Sequence, residues 1–132
     1  MNDQPLLRKI LAIDDEPGIL ELMKNLLGPE SYTVLCATGG AEGVRLNTLE
    51  NPDLIILDLR MPVMGGIETL RRIRKTDRDV RVVILTGYGD SDSIRDAADL
   101  NVSEYLSKPF ENSQLIHVIS NVFENPIGEI KC

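Results

Sequence analysis

The sequence is poor in the residues that build disulfides and metal–sulfur sites. It contains 2 cysteines and 1 histidine, with no Cys-x-x-Cys motif and no Cys/His spacing typical of a metal site. Cys36 lies in an apolar run and Cys132 is the last residue. The sequence therefore predicts no disulfide framework, and we expect reduced thiols in a cytoplasmic protein.

Two further absences exclude classes of partner. The 14 Lys and Arg residues are outnumbered by 21 Asp and Glu, and the resulting net charge of -7 argues against a nucleic-acid-binding surface. No apolar stretch approaches the roughly 20 residues that span a bilayer. The first residues also lack the basic and apolar regions of a signal peptide. We therefore expect neither nucleic acid nor a membrane as a direct partner of this segment.

What the sequence does contain is a repeated alternation of short apolar runs with helical apolar stripes. Runs such as 10–13 and 54–57 are typical of buried parallel strands, and the apolar spacing over 19–27 is that of one helical face. Five such repeats predict a three-layer α/β sandwich, because right-handed crossovers place helices on both faces of a parallel sheet. The predicted strands are 8–13, 32–37, 53–57, 80–85 and 103–107.

Four of the predicted strands run directly into polar residues. Asp14 and Asp15 follow the first strand, Asp58 the third, Thr86 the fourth and Lys108 the fifth. Ligands of open parallel sheets bind outside the carboxyl ends of the strands, so these groups are expected to converge. Three carboxylates, one hydroxyl and one ammonium together predict a site that binds a divalent metal and handles a phosphoryl group.

The metal prediction depends on Asp14 and Asp15. Adjacent carboxylates at about 4 Å repel by about 4 kcal/mol at an effective dielectric constant near 20, and a cation between them relieves this repulsion. A solvated acidic turn, or an N-cap of the next helix, is the ordinary alternative. Asp58 at an equivalent strand end favours the metal, and hard oxygen ligands without Cys or His favour Mg²⁺.

Each of the other polar residues also has two interpretations. Asp58 is the candidate nucleophile, since an aspartate can attack phosphorus and form an acyl phosphate, but an aspartate in a loop can also cap a helix. Thr86 and the N–H of Gly87 can hold phosphoryl oxygens, although Thr-Gly is a common strand exit. Lys108 can bridge the carboxylates to an incoming phosphoryl group, or it is a surface lysine. His117 lies in the last predicted helix, away from every strand end, and is expected at the surface.

These residues resemble the receiver domains of two-component response regulators. The resemblance covers residues 7–125 as one receiver domain and leaves 126–132 as a C-terminal stub or the start of a linker. It implies a doubly wound, flavodoxin-like sheet of five parallel strands in the order 2-1-3-4-5, with helices on both faces. The motifs that carry it are Asp14-Asp15-Glu16, Asp58-x-x-Met61-Pro62-x-x-Gly65-Gly66, Leu85-Thr86-Gly87 and Lys108-Pro109-Phe110.

The resemblance also implies how the site works. Asp58 would accept a phosphoryl group from a phosphohistidine of a sensor histidine kinase or a histidine phosphotransfer protein. Asp15 would bind Mg²⁺ directly and Asp14 mainly through water. Asp58 and the backbone carbonyl of Arg60 would complete the protein ligands. Catalysis would be limited to the phosphorylation and dephosphorylation of this chain itself, so it is not expected to be an enzyme in the usual sense.

The same resemblance implies a switch. Lys108 would pair with the phosphoryl group, and Thr86 would move to hydrogen-bond it. Tyr105, which otherwise reads as a core residue, would then turn inward. This change would alter the face formed by the fourth helix, fifth strand and fifth helix, which would act on an output domain or a downstream protein.

The lifetime of the phosphorylated state is predicted from two positions. Arg60 lies two residues past Asp58, and Tyr88 lies two residues past Thr86, so both are expected to flank the path of the hydrolytic water. Neither offers a carboxylate or an amide to orient that water, and arginine can pair with phosphoryl oxygens. We therefore expect slow self-dephosphorylation. The alternative is that both side chains point into solvent and have no effect.

Three other function classes fit the predicted fold less well. A receiver-shaped module that is not phosphorylated would not need the complete acidic set with Thr86 and Lys108. A flavin- or nucleotide-binding protein would carry Gly-x-Gly-x-x-Gly after the first strand, where Asp14 and Asp15 stand. A haloacid-dehalogenase-type phosphatase needs a carboxylate at the position of Arg60.

Overall fold

The computed structural model describes residues 7–124, in which five strands alternate with five helices. The strands are β1 (Arg8–Ile13), β2 (Tyr32–Ala37), β3 (Leu54–Asp58), β4 (Arg81–Thr86) and β5 (Glu104–Ser107). The helices are α1 (Pro17–Leu27), α2 (Gly40–Glu50), α3 (Gly66–Thr76), α4 (Ser91–Asp96) and α5 (Asn112–Glu124). The expected end of the domain at residue 125 and the stub at 126–132 lie outside the described residues.

All neighbouring strands are parallel, and their order is β2-β1-β3-β4-β5. This confirms the predicted fold class. Every residue of β3 is buried, as its continuous apolar run indicated, whereas the edge strand β2 has mixed burial. Among the described residues, no helix is long and apolar enough to cross a membrane.

The sheet lies between two apolar layers. Successive side chains of a strand point to opposite faces, so Ile10 and Ala12 join one cluster while Leu11 and Ile13 join the other. The first cluster contains residues of α1 and α5, and the second contains residues of α2 and α3. Both faces of the sheet are therefore covered, as the three-layer prediction requires.

The strands differ from their predicted bounds at the end that matters for the site. The prediction ended the third and fourth strands one residue early. In the structure Asp58 pairs with Leu85 across β3 and β4, and Thr86 pairs with Ser107 across β4 and β5. Both polar residues are thus part of the sheet, so the backbone ladder fixes their positions.

Several connections carry left-handed residues, among them those at Asn101 and Ser31. Asn101 has φ 59°, and the guanidinium of Arg74 donates to the carbonyls of Leu100 and Asn101 at 2.8 Å each. After α1, a 3₁₀ turn continues over Gly28–Glu30, and the chain reverses at Ser31 with φ 73°. Arginine donors and a left-handed serine therefore shape turns at which glycine is more usual.

The loop from β3 to α3 brings two backbones into close contact. The N–H of Gly66 donates to the carbonyl of Leu59 at 3.0 Å. A Cβ at Gly66 would lie 2.5 Å from the carbonyl oxygen of Asp58 and 2.7 Å from the Cα of Leu59. Between these points, Val63 is wholly exposed with φ 68°, in a tight turn closed by the N–H of Met64.

We expect Gly66→Ala to lower the free energy of unfolding by about 1–3 kcal/mol, because the added methyl group meets backbone atoms that no rotamer change can move. Gly18→Ala is the matched control. Gly18 lies in α1 with nothing within 4 Å of its Cβ position, so alanine there should stabilise the protein by roughly 0.5–1 kcal/mol. Urea unfolding measures both values, and a Gly66→Ala protein with the parent's midpoint would contradict the close contact.

Candidate functional site

The acidic residues meet at the carboxyl edge of the sheet. Asp14 directly follows β1, and Asp58 ends the adjacent strand β3. Carboxylate oxygens of Asp14, Asp15 and Asp58 all lie within 4.8 Å of one another. Asp14 is fully buried, Asp58 is 5% exposed and Asp15 is half-buried. The structure thus brings together the three carboxylates that the sequence analysis selected.

One ammonium group is the counter-charge of this cluster. Lys108 Nζ lies 3.2 Å from Asp14 Oδ2, 3.4 Å from Asp58 Oδ1 and 3.5 Å from Glu16 Oε1. The Lys108 N–H donates to the carbonyl of Thr86 at 2.7 Å, which ties the residue to the end of β4. The surface alternative for Lys108 is therefore wrong. The contact with Glu16 was not assigned from the sequence.

Burial raises the pKa of both Asp14 and Asp58. For Asp58, the charge of Asp14 adds to burial, and Lys108 offsets only part of the increase. For Asp14, burial outweighs the hydrogen bond from the Glu16 N–H and the attraction of Lys108. Burial alone would lower the pKa of Lys108, but the two aspartates raise it above its usual value. The carboxylates are thus held close together at a free-energy cost that a further cation would reduce.

The donor set fits a hard divalent cation. Within residues 7–124, Asp14, Asp15 and Asp58 are the one group of three carboxylate, imidazole or thiolate residues close enough to share a metal ion. Oxygen ligands alone suit Mg²⁺ better than the metals that select Cys or His. The N–H of Arg60 donates to Asp58 Oδ1 at 3.4 Å, so the backbone of residue 60 lies beside these carboxylates.

The predicted phosphoryl-binding groups lie next to this cluster. Thr86 ends β4 and is 7% exposed, one register position from Asp58. The Gly87 N–H donates to Asp90 Oδ2, so this amide already has an anionic partner. Asp90, which is 6% exposed, was not predicted as a site residue. The one sequence feature that could have identified Asp90 is its place as an acidic residue three positions after Gly87, in a turn that contains glycine.

Arg60 links the two loops above the site. Its Nε donates to Asp90 Oδ1 at 2.8 Å, and its Nη2 donates to the backbone carbonyl of Tyr88. Burial alone would raise the pKa of Asp90, but the hydrogen bonds from Gly87 and Arg60 lower it below its usual value. The Tyr88 ring itself is 99% exposed. Of the two residues predicted to shield a phosphoryl group, Arg60 has partners at the site and the ring of Tyr88 lies in solvent.

The two remaining candidates lie outside this cluster. Tyr105 in β5 is half-buried against the apolar cluster under α2 and α3, and burial raises its pKa. Its role as a switch stays a prediction. His117 is exposed on α5, with a ring nitrogen 3.0 Å from the side chain of Asn121. This placement agrees with the surface position expected for it.

The chain is similar to a large set of known proteins. The family model described as response regulator receiver domain matches residues 10–120. The chain is 36% identical to the sporulation initiation phosphotransferase F of Bacillus subtilis over 81% of its own length and 86% of that protein. A receiver domain structure from Clostridium thermocellum is 40% identical, with a TM-score of 0.81 over 87% of this chain and 93% of that one.

Other relatives differ in how much of their length this chain covers. The transcriptional regulatory protein GlrR of Escherichia coli is 36% identical over 87% of this chain, which covers only 26% of that protein. Vibrio cholerae CheY4, a chemotaxis protein, superposes with a TM-score of 0.82 at 26% identity and is covered over 98% of its structure. The domain therefore occurs both as most of a protein and as a part of a larger one.

We expect Asp14→Asn to stabilise the metal-free protein. The substitution removes a fully buried charge and its repulsion with Asp58, so the free energy of unfolding should rise by roughly 0.5–3 kcal/mol in EDTA. Asp99→Asn, which removes the same charge from an exposed position, controls for the change in net charge. Chemical denaturation measures both, and an Asp14→Asn protein less stable than the parent would contradict the account of a strained cluster.

Proposed function

The chain belongs to the response regulator receiver domain family, and from this membership we propose that Asp58 is its phosphoryl acceptor. The donor would be a phosphohistidine of a sensor histidine kinase or a histidine phosphotransfer protein, and Mg²⁺ would be the cofactor. The observation that carries the proposal is the carboxylate cluster around Lys108, with Nζ 3.2 Å from Asp14 and 3.4 Å from Asp58.

The reaction is a phosphoryl transfer between two side chains. A carboxylate oxygen of Asp58 attacks phosphorus, a P–O bond forms, and the P–N bond to the donor imidazole breaks with the electron pair leaving on nitrogen. Mg²⁺, held by Asp14, Asp15, Asp58 and the Arg60 carbonyl, would supply charge neutralisation for the transferred group. Lys108 lies within reach of Asp58 and adds a fixed positive charge at the same place.

Transfer would be coupled to a change of surface. Thr86 ends β4 at the site, Gly87 follows it, and Tyr105 lies on the neighbouring strand β5. Movement of Thr86 toward a phosphoryl group on Asp58 would free space that Tyr105 could enter. The face of α4, β5 and α5 would thereby change for an output domain or a downstream protein. We propose a cytoplasmic signalling role on this basis, with no catalysis beyond the chain's own phosphorylation and dephosphorylation.

A small phosphoryl donor tests the acceptor directly. Acetyl phosphate with Mg²⁺ should increase the intact mass of the protein by one phosphoryl group, and Asp58→Asn should abolish the increase because the attacking carboxylate is gone. EDTA should also abolish it. Asp53→Asn is the matched control, since Asp53 precedes the opposite end of β3, and it should leave labelling intact. Unchanged labelling of Asp58→Asn would assign the nucleophile elsewhere.

Loss of the phosphoryl group tests the predicted slow hydrolysis. We expect the rate of loss from Asp58 to increase in the Arg60→Asn, Tyr88→Glu double variant, because a shielding guanidinium is removed and groups that can orient water are introduced. Since the Tyr88 ring is exposed, the Arg60→Asn single variant should account for most of the effect. Decay of the phosphorylated mass gives the rates, and a double variant no faster than the parent would refute the shielding.

A further inference from the structure

Asp90 is a buried carboxylate that the proposed function does not use. It occupies the N-cap position of α4, yet its side chain makes no capping hydrogen bond to that helix. Both oxygens instead face the site: Oδ2 accepts from the N–H of Gly87, and Oδ1 accepts from Nε of Arg60 at 2.8 Å. The helix-cap explanation therefore does not account for its orientation.

The two donors that Asp90 holds come from the two loops that flank Asp58. Gly87 follows β4, and Arg60 follows β3. The turn between Gly87 and Asp90 is shaped for this contact, because Gly89 has φ 87° and a Cβ there would lie 3.1 Å from Nη2 of Arg60. A single carboxylate thus joins an amide and a guanidinium that, in the proposed function, face the phosphoryl group.

An exposed ion pair in the same helix provides a comparison. Asp92 and Arg95 approach to 3.4 Å with side chains 91% and 77% exposed, a geometry that contributes little to stability or position. The Asp90 carboxylate is 5% exposed and has two donors. It is therefore desolvated and directional, whereas the Asp92 pair is neither.

We propose that Asp90 is a positioning residue that takes the place of the phosphoryl anion while Asp58 is unmodified. It holds the Gly87 N–H and the Arg60 guanidinium, and both are transferred to the phosphoryl oxygens when Asp58 is phosphorylated. The two anions compete for the same donors, so Asp90 opposes the phosphorylated conformation and keeps the unmodified protein in its inactive one. This inference rests on the proposed function of Asp58.

Beryllofluoride with Mg²⁺, a tetrahedral analogue of a phosphoryl group on aspartate, is the probe. Asp90→Asn should bind it at least about five-fold more tightly than the parent. Asparagine has one side-chain oxygen, so its NH₂ would face one of the two donors and the competing acceptor pair is lost. Asp92→Asn removes the same charge from the exposed pair and should change the affinity by less than about two-fold. Titration followed by the melting temperature or by amide resonances gives the affinities.

Hydrogen exchange tests, without any ligand, whether Asp90 holds the Gly87 N–H in a hydrogen bond. In the Asp90→Ser protein, which keeps a good N-cap residue should the asparagine variant fail to fold, the Gly87 amide should exchange about ten-fold faster than in the parent. The serine variant should also bind beryllofluoride more tightly. A purely structural role for Asp90 would weaken binding of the analogue, which is the opposite change.

The outcomes separate the two proposals. A parent protein that binds no beryllofluoride would overturn the proposed function and this inference with it. A parent that binds it, together with neutral variants that bind equally or more weakly, would overturn the role of Asp90 alone. Unchanged exchange of the Gly87 amide in Asp90→Ser would do the same.

Discussion

The contact of one ammonium with two buried carboxylates is the interaction on which the site depends. Lys108 reaches Asp14 and Asp58 from the end of β5, while these aspartates stand at the ends of β1 and β3. Without the ammonium of Lys108, the two desolvated carboxylates of Asp14 and Asp58 would face each other unpaired, which is energetically unfavourable in a protein interior. The site is therefore formed by distant parts of the chain and exists only when the sheet is complete.

That dependence explains which parts of the site were predictable. Asp14, Asp58 and Thr86 lie where apolar strands end. The parallel topology brings these strand ends together regardless of the conformation of the loops. Lys108 follows from the same rule. The alternation of strand and helical patterns predicted the three layers but not the order of the strands. The strand order was predicted from the resemblance to receiver domains.

The parts that escaped prediction depend on loop conformation. The contact between Arg60 and Asp90 was not predicted, because it depends on the turn at Gly89, whose positive φ leaves no signal in the apolar pattern. The exposed ring of Tyr88 matches the alternative that the sequence left open, because a residue beside a site can point toward it or into solvent. The left-handed conformation of Ser31 was also not predicted. Contacts between side chains of different loops can be found only in a structure, whereas the ends of strands can be predicted from the apolar pattern of the sequence alone.

The conformation of Val63 has a consequence for how the site keeps its shape. A β-branched residue with φ 68° and no packing around it is disfavoured by roughly 1–3 kcal/mol, and nothing in its own surroundings offsets that cost. The loop therefore depends on contacts made by other residues, including Leu59 and Met61, which are buried in the core. It is held at both ends, by the last residues of β3 and by the backbone of Gly66 against Leu59. Val63 can consequently be substituted while the carboxylates of Asp14 and Asp58 stay in place, because their positions are fixed by the strands and not by the exposed tip of this loop.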